Sequence, residues 1–277
     1  MLSKTHTRYG EMYYYKNDQF IGASLQYYGE YSKLEIDYVS PYVNDDDIII
    51  DIGANIGTHT LAYSSLVPNG QVLAFEPNKR SYDVLVKNIQ INNLDNVHVF
   101  RSGLSNKVGL DVISDYDPAV KGNYGTMKTG EGDTVCFVNK LDNVCNFNRP
   151  VKLVKIDVEG NEGEILLGGF NFIANHKPVI QYECMTKEVA RRCEYVFTNY
   201  FPKYKLYWMP IYNFNQHNHR SNSTNIFVNS GVMNILAVHS SQKQPDYLQA
   251  YESWDQQIDI RSEGIRLSYE TMMGGGG

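Results

Sequence analysis

The chain has 277 residues, 42% of them hydrophobic and 20% charged, a balance that suits a soluble globular protein with one sizeable domain and room for additions. A formal net charge of -6 lacks the basic surface that duplex nucleic-acid binding requires, and no apolar run approaches membrane-spanning length, so neither nucleic acid nor membrane is expected as a partner. Cys136, Cys145, Cys184 and Cys193 form no C-x-x-C pair, which argues against zinc and for scattered thiols in a reducing compartment. With a polar Met1–Gly10 stretch that has no secretory apolar core, a cytoplasmic setting is expected.

Residues 1–44 are polar and rich in tyrosine, and are expected to form a partly helical lead-in that covers a binding cleft. The 22 tyrosines cluster at Tyr13–Tyr15, Tyr27–Tyr31 and Tyr200–Tyr212; packing with a satisfied hydroxyl is the expected use of most. Ile48–Ile52 reads as a strand buried on both faces, as in a parallel sheet. Thr58–Val67 reads as a helix closed by the Pro68-Asn69-Gly70 turn. Gln71–Phe75 reads as a second strand. Asn78–Asn92 reads as a second helix, with Tyr82, Leu85, Ile89 and Val86 on one face. Val97–Arg101 reads as the third strand. Residues 106–150 break the alternation, with β-like runs at Val108–Ile113 and Thr134–Val138 around a glycine-rich loop, Lys121–Gly132. Val151–Asp157 is the fourth strand. A helix at Glu162–Leu167, a strand at Pro178–Tyr182 and a helix at Lys187–Asn199 follow. Lys205–Trp208, Asn225–Phe227 and Asn234–Val238 read as closing strands. The tail, 240–277, is poor in apolar residues, with one helix expected at Tyr247–Trp254 and disorder at Gly274–Gly277.

The most informative stretch is Ile48 to Gly57, I-I-I-D-I-G-A-N-I-G. Gly53, Asn55 and Gly57 follow the strand as a tight turn into a helix, where a ligand approaches backbone closely. Glu76, at the tip of the second strand, is placed to accept hydrogen bonds from a ribose. The dinucleotide fingerprint G-x-G-x-x-G is absent. Asp51 would repel a pyrophosphate and tolerate a cation. Asp51 with Glu76 therefore suits S-adenosylmethionine, which carries a sulfonium, an ammonium and a ribose diol, better than NAD.

Leu153-Val154-Lys155-Ile156-Asp157-Val158-Glu159-Gly160-Asn161-Glu162 resembles the L-x-K-I-D-V-E-G-x-E motif of the FkbM-type methyltransferases. Asp51–Gly57, Phe75-Glu76-Pro77-Asn78, Leu104-Ser105, Leu141-Asp142, Pro178-Val179-Ile180 leading to Glu183, and Met233–Val238 resemble other motifs of that family in the same order, over roughly residues 45–239. Gly103 and Asn161 depart from the usual alanines. The resemblance implies an α/β, Rossmann-like class I methyltransferase fold: a seven-stranded, mostly parallel sheet with a β-hairpin insertion before the fourth strand. It also implies an S-adenosylmethionine-dependent enzyme, most often an O-methyltransferase, and does not choose the acceptor.

In such sheets ligands bind beyond the carboxyl ends of the strands. The expected cofactor residues are Asp51, Gly53, Asn55, Gly57, Thr58, Glu76, Ser102 and Gly103, with Thr58 or Thr60 offered to the methionine carboxylate at a helix N-terminus. Asn78 reads as an N-cap. Asp157 is the first candidate to take the acceptor's proton or to orient it, with Glu159 beside it. Asn123, Tyr124 and Glu183 are candidates for the acceptor pocket. His59 sits in a first helical turn, where the dipole disfavours an imidazolium, and is not chosen as base. His217-Asn218-His219-Arg220 reads as a surface loop before a sugar-binding one. Nearby carboxylates suit a hard cation, but no ligand spacing is evident and no metal is expected. The acceptor is expected to be a hydroxyl of a small molecule or glycan. N-methylation, an NAD enzyme without the usual fingerprint, and a non-catalytic glycan-binding scaffold are the competing readings.

Overall fold

In Ile48–Ile52 every residue is buried, and successive side chains go to opposite faces of the sheet. Ile49 joins one apolar core, and Ile48, Ile50 and Ile52 join another. A strand of this kind is stable only at the centre of a sheet covered on both sides. The computed structural model, which describes residues 2–144, 147, 149–228 and 230–256, places it there.

The chain opens with a hairpin, β1 (Leu2–Thr7) and β2 (Gly10–Tyr15), followed by α1 (Ile21–Tyr28) and α2 (Lys33–Val39). The alternating part comprises β3 (Ile48–Ile52), α3 (Thr58–Leu66), β4 (Gln71–Phe75), α4 (Lys79–Ile91) and β5 (Val97–Phe100). The insertion contains β6 (Gly103–Leu104), β7 (Gly109–Ile113) and β8 (Thr134–Asn139). Then come β9 (Val151–Ile156), α5 (Glu162–Gly168), α6 (Phe170–His176), β10 (Val179–Glu183), α7 (Lys187–Tyr200), β11 (Tyr204–Tyr212) and β12 (Gly231–His239). The main sheet has seven strands in the order β11-β12-β10-β9-β3-β4-β5. β12 is antiparallel to both its neighbours, and the other pairings are parallel. The chain runs outward from β3 through β4 to β5, then resumes on the other side at β9. The switch point therefore lies between β3 and β9, where open α/β sheets place their ligands.

Several expectations are corrected. Asn225–Phe227 is not a strand; the edge is built by a longer β11 and β12 paired over nine residues each. β7 and β8 do pair antiparallel, but β6 adds to β8 to make a separate three-stranded sheet. On α4 the buried face is Ser81, Val84, Leu85, Asn88 and Ile89, with Tyr82 and Val86 only half-buried. Tyr247–Trp254 is not a helix. Ala250 bridges Tyr207, and the Tyr247 ring stacks on Tyr38 at 6.0 Å, so this part of the tail follows the sheet edge. α6 escaped the sequence reading. The expected disorder at Gly274–Gly277 lies outside the described residues. Asn78 caps α4, accepting from the Arg80 and Ser81 amides. Among the described residues no helix is long and apolar enough to cross a membrane.

The lead-in is fastened to the sheet domain by Asn88. Its Oδ1 accepts the Tyr13 amide at 2.6 Å, while Nδ2 donates to Tyr13 O at 3.1 Å and Ile56 O at 2.8 Å. One fully buried amide thus joins the hairpin, α4 and the glycine turn. Asn88→Ala leaves these backbone groups unpaired, and the expected loss is about 1–3 kcal/mol of stability, measured by urea unfolding.

Candidate functional site

A cavity of about 370 Å³ opens beyond the carboxyl ends of β3, β4, β9 and β10, within the size range of small-ligand and cofactor sites. Gly53, Asn55, Thr58 and Glu76 line it, and so do Asp157, Glu159 and Glu183. Phe20, Ile21 and Tyr31 of the lead-in and Asn123, Tyr124 and Met127 of the insertion also face it. Two segments about a hundred residues apart therefore close a site laid down by the sheet.

The glycine turn is shaped by close approach. Gly53 has φ +77°, and a Cβ there would lie 1.8 Å from Asp157 O; only glycine fits. Gly53 and Ala54 donate their amides to Phe75 O, and the Asp157 amide donates to Ile52 O, which fixes the ends of β3, β4 and β9 together. Asn55 also has a positive φ, 49°, a conformation that asparagine tolerates better than most residues. Its amide donates to Glu76 Oε2 at 2.8 Å, and the Asn78 amide donates to Glu76 Oε1 at 2.8 Å. Burial pushes the Glu76 carboxyl up to about 7, against those two amides and Lys155, which favour the charged form.

The remaining expected cofactor residues stand off the cavity wall. Asp51 is fully buried behind the turn, where it accepts from Thr60 Oγ1 at 2.6 Å. Gly57 lies at the start of α3 with φ +93°, and a Cβ there would meet Leu85 at 2.6 Å, so it serves packing. Ser102 Oγ donates to Gly103 O at 2.8 Å, and Gly103 packs beside Val138 and Pro77. Asp51, Gly57, Ser102 and Gly103 support the wall instead of forming it.

Behind the wall runs a buried polar ladder. Asp51, Lys155 and Gln181 sit opposite one another on adjacent strands β3, β9 and β10. Lys155 Nζ lies 3.4 Å from Asp51 Oδ1, 3.4 Å from Asp157 Oδ2 and 3.4 Å from Gly53 O. Burial works against its charge, but Asp157, Asp51 and Glu35 outweigh it and hold the ammonium above its ordinary value. Glu35, from α2, accepts from Gln181 Nε2 and from Asn234 Nδ2 at 3.1 Å. Its Oε2 also lies 3.4 Å from His59 Nε2, without hydrogen-bond geometry. Burial opposes the Glu35 charge, but His59 and Lys155 prevail, and its carboxyl stays below the usual value.

The cavity also holds an acidic group. One carboxylate oxygen each from Asp157, Glu159 and Glu183 lie within 4.8 Å of one another. Burial first, then the neighbouring carboxylates, push Glu159 and Glu183 well up. Glu159 adopts φ +60°, a strained backbone for glutamate. Glu162 begins α5, and its Oε1 accepts from the Val158 and Gly160 amides. Tyr124 presents its ring, stacked on Tyr116 at 4.3 Å; its hydroxyl is spent on Val120 O and Asp117 O. Asn123 turns its Oδ1 to the Gly125 amide at 3.0 Å. The His217–Arg220 loop is remote from the cavity lining and packs on the lead-in, with Arg220 donating to Gln26 O and His6 O.

Glu35, His59, Lys155 and Tyr31 were not chosen from the sequence as site residues. Lys155 and Gln181 had a signal, a polar residue at the same register inside strands that are otherwise apolar. Glu35 and Tyr31 had none.

Comparison with known proteins bears on this arrangement. Residues 51–243 match the model of the methyltransferase FkbM domain. The chain is 30% identical over 154 residues to Methyltransferase 1 of Beauveria bassiana, covering 47% of this chain and 61% of that protein. It is 34% identical over 139 residues to the hexuronic acid methyltransferase AglP of Haloferax volcanii, covering 49% of this chain and 55% of that protein. The chain thus spans little more than half the length of these curated relatives. The crystal structure of Methyltransferase FkbM from Methylobacillus flagellatus KT aligns at 15% identity and a TM-score of 0.48, over 70% of this chain and 44% of that chain.

Lys155→Met keeps the length of the side chain and removes the cation. Asp51 is then a buried carboxylate without its ion pair, and the expected cost is about 3–5 kcal/mol, measured as a fall in the urea unfolding midpoint.

Proposed function

This chain belongs to the FkbM methyltransferase family, and we propose that it transfers a methyl group from S-adenosylmethionine to a hydroxyl of a glycan or small molecule. The observation that carries the reading is the pair of residue sets that line one cavity. A glycine turn and a buried carboxylate, Glu76, make one set, and a group of carboxylates at the ends of β9 and β10 makes the other. The name of AglP, a hexuronic acid methyltransferase, supports a sugar acceptor.

When bound, S-adenosylmethionine supplies an electrophilic methyl group on a sulfonium and leaves as the neutral thioether S-adenosylhomocysteine. The residues of this chain do the rest. Glu76, already anchored by the Asn55 and Asn78 amides, offers its remaining lone pairs to the ribose hydroxyls. Gly53 lets the ligand approach the backbone. Thr58, at the start of α3, is offered to the amino-acid carboxylate, where helix amides and dipole favour an anion. Asp157 receives the acceptor hydroxyl, orients its oxygen toward the methyl group and takes its proton as the new bond forms. Glu159 and Glu183 complete the acceptor pocket with Asn123 and the ring of Tyr124. The test is incubation of the chain with methyl-labelled S-adenosylmethionine and a panel of uronic acids, glycans and small alcohols, read by mass spectrometry. Label on a hydroxyl supports the reading, and label confined to amines overturns it.

Glu76→Ala is expected to raise the dissociation constant of S-adenosylhomocysteine by roughly ten- to hundredfold, because a hydrogen bond to a charged group contributes about 1.5–3 kcal/mol. With its carboxyl up at about 7, Glu76 is increasingly protonated below that pH and loses acceptor capacity. Cofactor affinity should therefore weaken as pH falls through 7, by at most about tenfold per unit, and titration calorimetry on Glu76→Gln should show a flatter profile. Asp157→Asn keeps the shape but cannot take a proton. Turnover should drop by about 10²–10⁴, with cofactor affinity little changed, as measured by steady-state kinetics beside calorimetry.

A further inference from the structure

The acidic group is more crowded than proton transfer alone requires. Asp157 directly follows β9, Glu183 ends β10, and Glu159 stands in the loop between β9 and α5, yet one oxygen from each falls within 4.8 Å of the others. All three are half-buried, so water screens their repulsion only in part. Lys155 is the cation closest to Asp157, but Asp51 shares it. Lys128 acts on Glu159 only as a longer-range attraction.

A second, independent feature sits against the group. Glu162 is 1% exposed, and its Oε2 has no hydrogen-bond partner. It lines an adjoining cavity whose wall Glu159 and Glu183 share. A buried carboxylate oxygen without a donor is costly. Beside three further carboxylates it is explicable if the site receives positive charge from a ligand.

The spacing suits a metal. Two oxygens on opposite sides of a cation are separated by at most twice the metal–oxygen distance, about 4.2 Å for Mg²⁺ and about 4.6–5.2 Å for Ca²⁺. The observed 4.8 Å admits the larger ion as it stands and the smaller after side-chain movements of a few tenths of an ångström. All donors are carboxylate oxygens, the ligands of hard cations, with no imidazole or thiolate in the group to favour a transition metal.

We propose that Asp157, Glu159 and Glu183 bind one hard divalent cation, of the Mg²⁺ or Ca²⁺ class, with Glu162 behind them as a supporting carboxylate. Its role rests on the methyl-transfer reading: the cation takes the acceptor hydroxyl as a further oxygen ligand and holds it toward the methyl group. In that step the O–C bond forms, the C–S bond breaks with its electron pair going to sulfur, and the hydroxyl proton passes to a carboxylate of the group. The cation itself is neither oxidised nor reduced.

Binding is tested without turnover. Mn²⁺ is titrated into the full chain, with and without S-adenosylhomocysteine, and free Mn²⁺ is followed by electron paramagnetic resonance. Mg²⁺ and Ca²⁺ serve as competitors. The expected result is one saturable site from which Mg²⁺ or Ca²⁺ displaces Mn²⁺. Glu162→Gln should weaken it about 10–100-fold, as loss of a supporting group does, and Glu159→Gln and Glu183→Gln at least as much. Calorimetry with S-adenosylhomocysteine on each variant reports an intact fold and cofactor site. Failure of the wild-type chain to bind that ligand overturns the proposed function and leaves the metal result standing on its own. No saturable site, or one unchanged in both glutamine variants of Glu159 and Glu183, overturns the metal. So does expulsion of Mn²⁺ by S-adenosylmethionine but not by S-adenosylhomocysteine, which would show that the carboxylates serve the sulfonium.

Discussion

One buried ammonium governs the geometry of this protein. Lys155 stands in the middle of the sheet, on the strand that lies across the switch point from β3, and reaches both Asp51 behind the glycine turn and Asp157 at the cavity. A charge in that position is tolerable only if its partners remain in place. The ends of β3 and β9 are therefore held in mutual register by electrostatics as well as by the sheet. Gly53 sharpens the constraint, because its backbone passes so near Asp157 O that no side chain fits between them. The glycine turn and the Asp157 carboxylate are thus parts of one junction.

The extension of that junction was only partly legible in the sequence. The sheet strands were readable because burial on both faces leaves nearly continuous apolar runs, and Ile48–Ile52 is the plainest of them. Glu76 and Asp157 were readable because they stand where such runs stop. What the sequence could not convey is lateral. Asp51, Lys155 and Gln181 form a row only after the strands are aligned, and their separations along the chain carry no periodic signal. Glu35 is harder still, since it comes from a short helix in a polar segment and finds Gln181 and Asn234 nearly 150 and 200 positions away. Ser102 and Gly103 show the converse. They lie just past a strand end as expected, but Gly103 enters the side sheet as part of β6 and Ser102 Oγ donates to Phe137 O of β8, and the cavity wall passes to Glu76 and Pro77.

The lead-in is integral to the site. It contributes Glu35 beneath the cavity and Phe20, Ile21 and Tyr31 around it. Asn88 on α4 and Asn92 at its C-terminal cap bind the hairpin backbone through their side-chain amides. The matched family region begins at residue 51, yet part of the buried charge balance of that region is supplied from before it. A chain trimmed to the matched span would lose Leu34, Ile36 and Val39 from the core and leave Gln181 and Asn234 without the Glu35 carboxylate.

The two closing segments also hold each other. Gln19 donates its amide to Gly122 O at 2.9 Å, Gly122 donates its own to Asn17 O at 3.2 Å, and Asn17 Nδ2 reaches Pro118 O and Ala119 O. Two of these bonds join backbone to backbone, and the other two come from the Asn17 side chain, which does not line the cavity. The fastening therefore uses none of the side chains that line the cavity. Lining and fastening are thus carried by different atoms of the same two segments.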